Sequence, residues 1–182
     1  MATNNPTGRV MLRNVRLAFP SLFEPSTFGD GDPAYQCTLI MDDEQAQALD
    51  MVIASVAREK WGAKGDATLK TLRSTGKVAL KNGDEKSQYD GFEGNWFIAP
   101  RAKTRPTVVD GQRQPLTERD GLIYAGCYVN ASVELWAQDN QYGKRVNATL
   151  RGIQFVRDGE AFGGGRPAQA DEFDEIEVDD LV

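Results

Sequence analysis

Aromatic, cationic and amide side chains share one face of two segments, 124–137 and 144–156, whose residues alternate between apolar and polar around a turn at 140–143. The alternation predicts two long paired strands whose apolar residues, such as Val129 and Leu150, face a core. The opposite face would then carry Tyr128, Asn130, Ser132, Glu134, Trp136, Arg145, Asn147, Thr149 and Arg151. Rings on such a face stack on the bases of a single strand, and guanidinium groups pair with its phosphates. The alternative is that a helix or a loop covers this face and that its two rings belong to the core.

Two clusters of cations accompany this face. They lie at 101–105 and 70–81, and their members are Arg101, Lys103, Arg105, Lys70, Arg73, Lys77 and Lys81. Such runs form either a solvated face or a surface that follows the phosphates of a bound strand, with an affinity that falls as salt is added. Tyr89, Phe92 and Trp96 interleave with the clusters, and we expect at least one of these rings to stack on a base. The candidate DNA contacts are therefore these cations with Tyr89, Trp96, Tyr128, Trp136, Arg145 and Arg151.

Catalytic and metal chemistry have little support in the sequence. The chain contains no histidine, which excludes Ser–His–Asp and Cys–His catalysis and histidine metal sites. The acidic triplet 42–44 is typical of a helix N-terminus, and the Gly–Asp turns at 29–32 and 82–85 lack the pattern of a calcium loop. Cys37 and Cys127 have no metal-ligand spacing, so we expect two reduced, buried thiols. The sequence predicts a protein that is not an enzyme and has no metal or cofactor.

The C-terminal residues 171–182 carry seven carboxylates and no lysine or arginine. The chain has a net charge of −6, but its other 20 acidic residues face 21 basic ones, so residues 1–170 carry +1. A glycine-rich linker that ends in an acidic tip is typical of an interaction tail. The residues expected to contact partners are Asp171, Glu172, Phe173, Asp174, Glu175, Glu177, Asp179 and Asp180. A near-neutral body that carries its own polyanion indicates that the partner of the body is also a polyanion.

Three further segments are predicted to be strands that support the long pair. The first covers 10–19 and is predicted to end at Pro20, with Pro25 as a second break. The second covers 35–41, and the third covers 93–99. These strands would complete the sheet whose long strands carry the candidate contacts.

One main helix is predicted to interrupt the strands. Asp42 and Gln45 form a predicted capping box for a helix over 43–60, and a short helix over 67–74 follows. Gly152 lies where the alternation changes phase, which indicates a bulge or a barrel corner. Together these elements predict a mostly β, α+β fold: a single OB-fold-like barrel with one main inserted helix and a disordered acidic C-terminal tail.

The predicted organisation has four parts. They are a flexible N-terminus (1–8), an OB-fold domain that binds single-stranded DNA (9–161), a flexible linker (162–170) and the acidic tail (171–182). No window approaches the roughly 18 apolar residues of a membrane span. The first residues lack the basic and apolar regions of a secretory signal. We therefore expect a cytoplasmic protein that does not contact a membrane.

Several motifs resemble a phage single-stranded-DNA-binding protein family, formerly a conserved domain of unknown function. The resemblance runs from about residue 10 to the C-terminus. Its clearest motifs are Gly126-Cys127-Tyr128 and Asp158-Gly159-Glu160, with similar segments at 10–20 and 90–98 and a glycine-rich stretch before an acidic tail. The resemblance implies an OB-fold that coats exposed single strands during phage DNA replication or recombination, with a tail that reaches replication proteins. For individual residues the resemblance implies a structural role: it identifies Gly126, Tyr128 and Gly159 as positions on which the fold depends.

One feature departs from this functional type, in which the acidic tail commonly ends in an aromatic residue. Here the chain ends in Leu181-Val182, and Phe173 lies near the beginning of the tail. Without a terminal aromatic residue, the sequence does not support docking of the tail tip in a partner's pocket. The acidic residues of the tail can still act through their charge. The alternatives are a strand-annealing recombination protein, a protein-interaction or virion module that does not bind DNA, and a carboxylate-metal nuclease. The sequence is compatible with a monomer and with a homodimer.

Overall fold

The computed structural model describes residues 7–27, 31–163 and 172–176. Its elements in chain order are β1 (Arg9–Ser26), β2 (Ala34–Met41), α1 (Asp43–Trp61), α2 (Gly65–Ser74), β3 (Lys81–Asn82), β4 (Trp96–Ile98), β5 (Arg101–Ala102), β6 (Thr107–Val109), β7 (Tyr128–Asn140) and β8 (Gly143–Arg157). Short 3-10 helices cover Gly62–Lys64, Gly83–Lys86 and Glu118–Asp120. Within the described ranges, no helix is long and apolar enough to span a bilayer.

Five strands pair in a closed ring. Strand β1 pairs with β7, β7 with β8, β8 with β5, β5 with β2, and β2 with β1. The β5–β8 contact is parallel and joins Arg101 to Thr149, whereas the other pairs of the ring are antiparallel. Strands β4 and β3 extend the sheet beyond β2, and β6 lies parallel to β8. A small mixed barrel with a helical insertion is OB-like, so the predicted fold class is confirmed.

The alternation along β7 and β8 builds the barrel core, as predicted. The inward residues on β7 and β8 are buried and include Val129, Ala131, Val133, Leu135, Val146, Leu150 and Ile153. The register moves from Ser132 opposite Gly152 to Val133 opposite Leu150, so Arg151 is an extra residue on β8. This bulge changes which residues face inward, and it is the bulge that the change of phase at Gly152 predicted.

Helix α1 begins where the capping box predicts. The Asp42 carboxylate accepts from the Gln45 backbone N–H at 2.8 Å, and the Gln45 side chain accepts from the Asp42 N–H at 3.1 Å. The buried face of α1 comprises Ala46, Leu49, Ile53, Val56 and Ala57, which recur at helical spacing and pack against the barrel core. The helix ends at Trp61, before Gly62 with a φ of 60°.

The predicted end of the first strand at Pro20 is wrong. Strand β1 continues to Ser26 and passes from pairing with β7 to pairing with β2. The register shifts between Ala18 and Ser21, and Phe19 there has a φ of 46°. A proline lacks the N–H that a ladder requires, but at a bulge no partner needs that donor. The prolines therefore accompany a bend of β1 and do not end it.

Both cysteines are buried thiols, as predicted. Burial raises the pKa of the Cys37 thiol well above its ordinary value, because the thiolate would lose its hydration inside the barrel. The thiol of Cys37 therefore stays protonated in the folded protein.

Candidate nucleic-acid interface

The side of the barrel formed by β5, β7, β8 and segment 77–86 contains a groove of about 420 Å³, which we call the basic groove. Among the described residues that line it, the cations are Lys77, Lys81, Lys86, Arg101 and Arg145, and one residue, Glu85, is acidic. Backbone bonds hold segment 77–79 beside β8: Val146 N–H donates to Lys77 C=O at 3.0 Å, and Ala79 N–H donates to Val146 C=O at 2.9 Å. These bonds position cations that lie far apart in the sequence.

Trp136 forms part of the wall of the basic groove and is 44% exposed. Its indole Nε1–H donates to the Thr149 hydroxyl at 3.0 Å, which orients the ring across the two strands. Beside it, Asn147 donates to the side-chain oxygen of Gln138 at 2.9 Å. Trp136 is therefore not a core residue, and its ring is fixed with one side open to the groove. An oriented, exposed indole can stack on an unpaired base.

No described acidic residue forms an ion pair with a cation of the basic groove. Among the described residues, the ion pairs join Arg9 to Glu134, Arg58 to Asp66, Arg73 to Asp50 and Lys103 to Asp32. Lys86 extends over Phe97, with Nζ 5.2 Å from the ring centroid. Counted over the described lining residues, five cations against one carboxylate create a positive potential, which attracts a polyanion and loses strength as salt rises.

The structure brings Arg101, Lys77, Lys81, Arg145 and Trp136 together, but it distributes the other candidate cations elsewhere. Lys103 follows Arg101 beyond the end of the groove, where its Nζ lies 4.0 Å from an Asp32 carboxylate oxygen. Arg105 extends toward Tyr35, at 5.9 Å from the ring centroid. Arg151 is the exposed residue of the β8 bulge, and Lys70 is exposed on α2.

Two predicted contacts, Arg73 and Trp96, lie in a neighbouring pocket instead of the basic groove. Arg73 pairs with Asp50 of α1. Trp96 is half-buried, and its indole N–H donates to the Asp43 carboxylate at 2.7 Å. Both side chains are therefore held by acidic residues of α1.

Tyr89 belongs to a separate aromatic cluster at another part of the surface. It meets Phe19 edge-on at 5.1 Å between ring centroids, and Phe92 lies 6.0 Å away. Phe92 is buried with Phe97, so this ring is not available for stacking. Tyr89 itself is 44% exposed.

Tyr128 lies at the far end of the predicted face and packs against the chain that follows β8. The guanidinium of Arg157 is 3.6 Å from its ring centroid. A Cβ on Gly159 would lie 2.9 Å from Tyr128 Cε2, and a Cβ on Gly126 would overlap the Glu160 carbonyl oxygen. Gly126, Tyr128 and Gly159, the three residues to which the resemblance assigns a structural role, thus meet at one close-packed junction.

The described part of the tail consists of Glu172, Phe173, Asp174, Glu175 and Ile176, all exposed. Asp171, Glu177, Asp179 and Asp180 lie outside the described residues. The first two residues of the predicted linker are anchored to the barrel: Phe162 N–H donates to Ala125 C=O at 3.0 Å, and Gly163 N–H donates to the Asp90 carboxylate at 3.2 Å.

Sequence reasoning missed Lys86 as a member of the basic groove. It directly follows two acidic residues, so the local pattern indicated a polar turn. Its 3-10 helix, Gly83–Lys86, is capped by Asn82, whose side chain accepts from Asp84 N–H at 2.9 Å. That cap turns the segment so that Glu85 and Lys86 both reach the groove.

An OB-like barrel with a cationic groove and an oriented, exposed tryptophan defines the class of oligonucleotide-binding barrel proteins. The chain belongs to the family of the Enterobacter phage Enc34 ssDNA-binding protein, whose model matches residues 8–182. It is 40% identical over 176 residues to "Putative protein p50" of Acyrthosiphon pisum secondary endosymbiont phage 1. The aligned residues cover 93% of this chain and 95% of that protein.

Two solved structures extend the comparison. The single-stranded DNA-binding protein from bacteriophage Enc34, solved in complex with ssDNA, superposes with a TM-score of 0.71 at 30% identity over 86% of this chain and 90% of that chain. The gp2.5 single-stranded DNA-binding protein of bacteriophage T7 superposes with a TM-score of 0.57 at 16% identity over 93% and 97%. The second comparison shows a shared fold.

Proposed function

We propose that this protein binds single-stranded DNA in the basic groove without sequence preference over most of its contacts, and that it coats strands exposed during phage DNA replication or recombination. The observation that carries the proposal is the exposed Trp136 ring beside the groove cations. The Enc34 protein, a relative at 30% identity, has been solved with ssDNA, which supports the same ligand here. The role is one of binding in the host cytoplasm, without a chemical step.

In this proposal, DNA binding combines two kinds of contact: cations contact the phosphate backbone, and an aromatic ring contacts the bases. Cations such as Lys77, Arg101 and Arg145 neutralise phosphates and release counterions, which favours binding of any sequence. Stacking of a base on an indole contributes roughly 1–3 kcal/mol and tolerates every base, because each has a π-face. The bases of duplex DNA stay stacked on one another, so a duplex does not gain the free energy of stacking on the indole.

The acidic tail acts in this proposal as an internal competitor for the groove and as a docking element for replication or recombination proteins. Its seven carboxylates follow the linker 162–170, in which Gly163 is anchored to Asp90. A tethered polyanion has a high effective concentration at a nearby cationic site, so it competes with DNA without needing intrinsic high affinity. Bound DNA would displace the tail and make it available to a partner.

Titration of the full-length protein with a fluorescently labelled dT oligomer tests the proposal. We expect the anisotropy of the label to rise and the tryptophan emission to fall together, with an apparent affinity that decreases as salt increases. An unlabelled duplex of random sequence should compete poorly. Absence of an anisotropy change at low salt would contradict single-strand binding and favour a module that does not bind DNA.

A further inference from the structure

A second cavity, of about 490 Å³, adjoins the basic groove between α1 and β4, and we call it the α1 pocket. The two spaces share three lining residues, Val78, Lys81 and Glu85. A strand held by the groove cations would therefore pass the entrance of the pocket. The cavity is open at its surface, so a base can enter it by rotating out of the strand.

The α1 pocket has the lining that a planar ring requires. Ala46, Val78 and Leu80 supply apolar surface, and the half-buried Trp96 supplies an aromatic wall. The hydrogen bond of the indole N–H to the Asp43 carboxylate, 2.7 Å long, holds the Trp96 ring in place. An aromatic wall beside apolar surface favours stacking of a neutral base.

The charged groups among the described residues that line the α1 pocket are three carboxylates and two cations. Asp43, Asp50 and Glu85 contribute carboxylates, and Gln47 and Asn82 contribute side-chain amides. The interior of the pocket is unfavourable for phosphate, because Arg73 is already paired with the Asp50 carboxylate, and the described lining carboxylates outnumber the two cations, Arg73 and Lys81. The ligand that fits is a neutral ring that donates hydrogen bonds.

We infer that the α1 pocket receives one unstacked base that carries an exocyclic amino group, from a strand lying in the basic groove. This inference rests on the proposed function. Cytosine and adenine present an amino donor on the edge where thymine presents a carbonyl acceptor and a methyl group. Carboxylate acceptors thus favour an amino-bearing base over thymine, and the protein has a modest base preference at this one position.

Two single-tryptophan proteins, both full-length, test the position of the base. The W61F/W136F protein retains only Trp96, and the W61F/W96F protein retains only Trp136. Each is titrated with labelled dC and dT oligomers of equal length, and the anisotropy of the label reports binding independently of the tryptophans. We expect dC to quench Trp96 more strongly than dT does, and both oligomers to quench Trp136.

The outcomes separate this inference from the proposed function. Binding of both oligomers by anisotropy with unchanged Trp96 emission would overturn the base pocket and leave groove binding intact. If the unmodified protein bound neither oligomer, the proposed function itself would be overturned.

The Glu85→Gln variant tests the base preference. The unmodified protein should bind dC about two- to tenfold tighter than dT, as one additional hydrogen bond allows. The variant keeps the size of the side chain and removes its charge, so this ratio should fall toward one. Glu44→Gln is the matched control, because Glu44 is exposed on the first turn of α1 and does not line the pocket. Equal dC and dT affinities of the unmodified protein would contradict the preference, as would an equal loss of preference in both variants.

Discussion

The indole N–H of Trp136 donates to the hydroxyl of Thr149 at 3.0 Å, and Thr149 is the residue through which β8 pairs with Arg101 of β5. One threonine thus connects the ring that can stack on a base and the strand whose arginine can bind a phosphate. The connection fixes the distance between an aromatic and a cationic contact at the point where the barrel closes. A bound strand would meet both groups without rearrangement of the sheet.

Replacement of Trp136 by alanine should weaken binding to a dT oligomer by about 1–3 kcal/mol, because one stacked base is lost. The fold should be preserved, since the ring is 44% exposed and does not belong to the core. Anisotropy gives the affinity, and circular dichroism checks the fold. Met51→Ala on the exposed face of α1 is the control and should leave the affinity unchanged. Equal affinities of the Trp136→Ala and Met51→Ala proteins would exclude stacking on Trp136.

Each cation of the basic groove that contacts a phosphate should contribute to the salt dependence of binding. Arg101→Ala or Arg145→Ala should lower the slope of log affinity against log salt by about 0.7 for a single strand. Lys70→Ala is the matched control, because Lys70 is an exposed cation of α2 outside the groove lining. The measurement is a series of titrations at several salt concentrations. A slope change as large for the Lys70 variant would mean that the strand follows a different path.

Deletion of residues 171–182 should tighten binding to a dT oligomer, because it removes the tethered competitor and its seven carboxylates. The gain should be greatest at low salt, where interactions between exposed charges are least screened. A protein whose seven tail carboxylates are replaced by amides is the matched control and should behave like the deletion. An unchanged affinity of the deleted protein at low salt would exclude competition by the tail.

Gly126→Ala should destabilise the fold by about 1–3 kcal/mol, because overpacking forces the backbone to shift. Gly126 has a φ of 111°, and its added Cβ would overlap the Glu160 carbonyl oxygen. Gly111→Ala is the control: a Cβ at Gly111 meets nothing within 4 Å, so the change should lie within about 0.5 kcal/mol. Urea unfolding measures both. Similar stabilities of the two variants would contradict the close packing at this junction.

The buried thiol of Cys37 should make the stability depend on pH in the alkaline range. Its pKa is raised in the folded protein, so the contribution is fully present below the unfolded thiol pKa of about 8.5 and declines as pH rises beyond it. Urea unfolding near neutral pH and at about pH 9.5 should show this loss of unfolding free energy. The Cys37→Ala protein should lose less over the same interval. An identical pH dependence of the two proteins would indicate that Cys37 does not contribute.

The sequence determined which residues share a strand face or a helix face. Trp136 and Arg145 were predicted to share a face because side chains alternate strictly along paired strands, and the structure places both in the basic groove. The capping box of Asp42 and Gln45 located the start of α1 because it needs only four consecutive residues. The separation of charge between the body and the tail is a property of composition alone.

Only the tertiary structure decided which cations converge. Lys77 and Arg101 meet Arg145 because segment 77–79 bonds to β8 and β5 pairs with β8, and such long-range pairings leave no local periodic signal. Arg73, from the same sequence cluster as Lys77, is directed to Asp50 by the helical turn of α2. A sequence cluster therefore did not become a spatial cluster.

For the aromatic residues too, the sequence determined the strand face, and the tertiary structure decided what surrounds each ring. Tyr128 and Trp136 share one strand face, as period two requires, but the chain after β8 returns over Tyr128 and leaves Trp136 exposed. Trp96 was predicted beside the cations, and the pairing of β4 with β2 and β3 places it in the α1 pocket instead. Local periodicity determines the face on which a side chain lies, whereas the path of distant segments determines what that face meets.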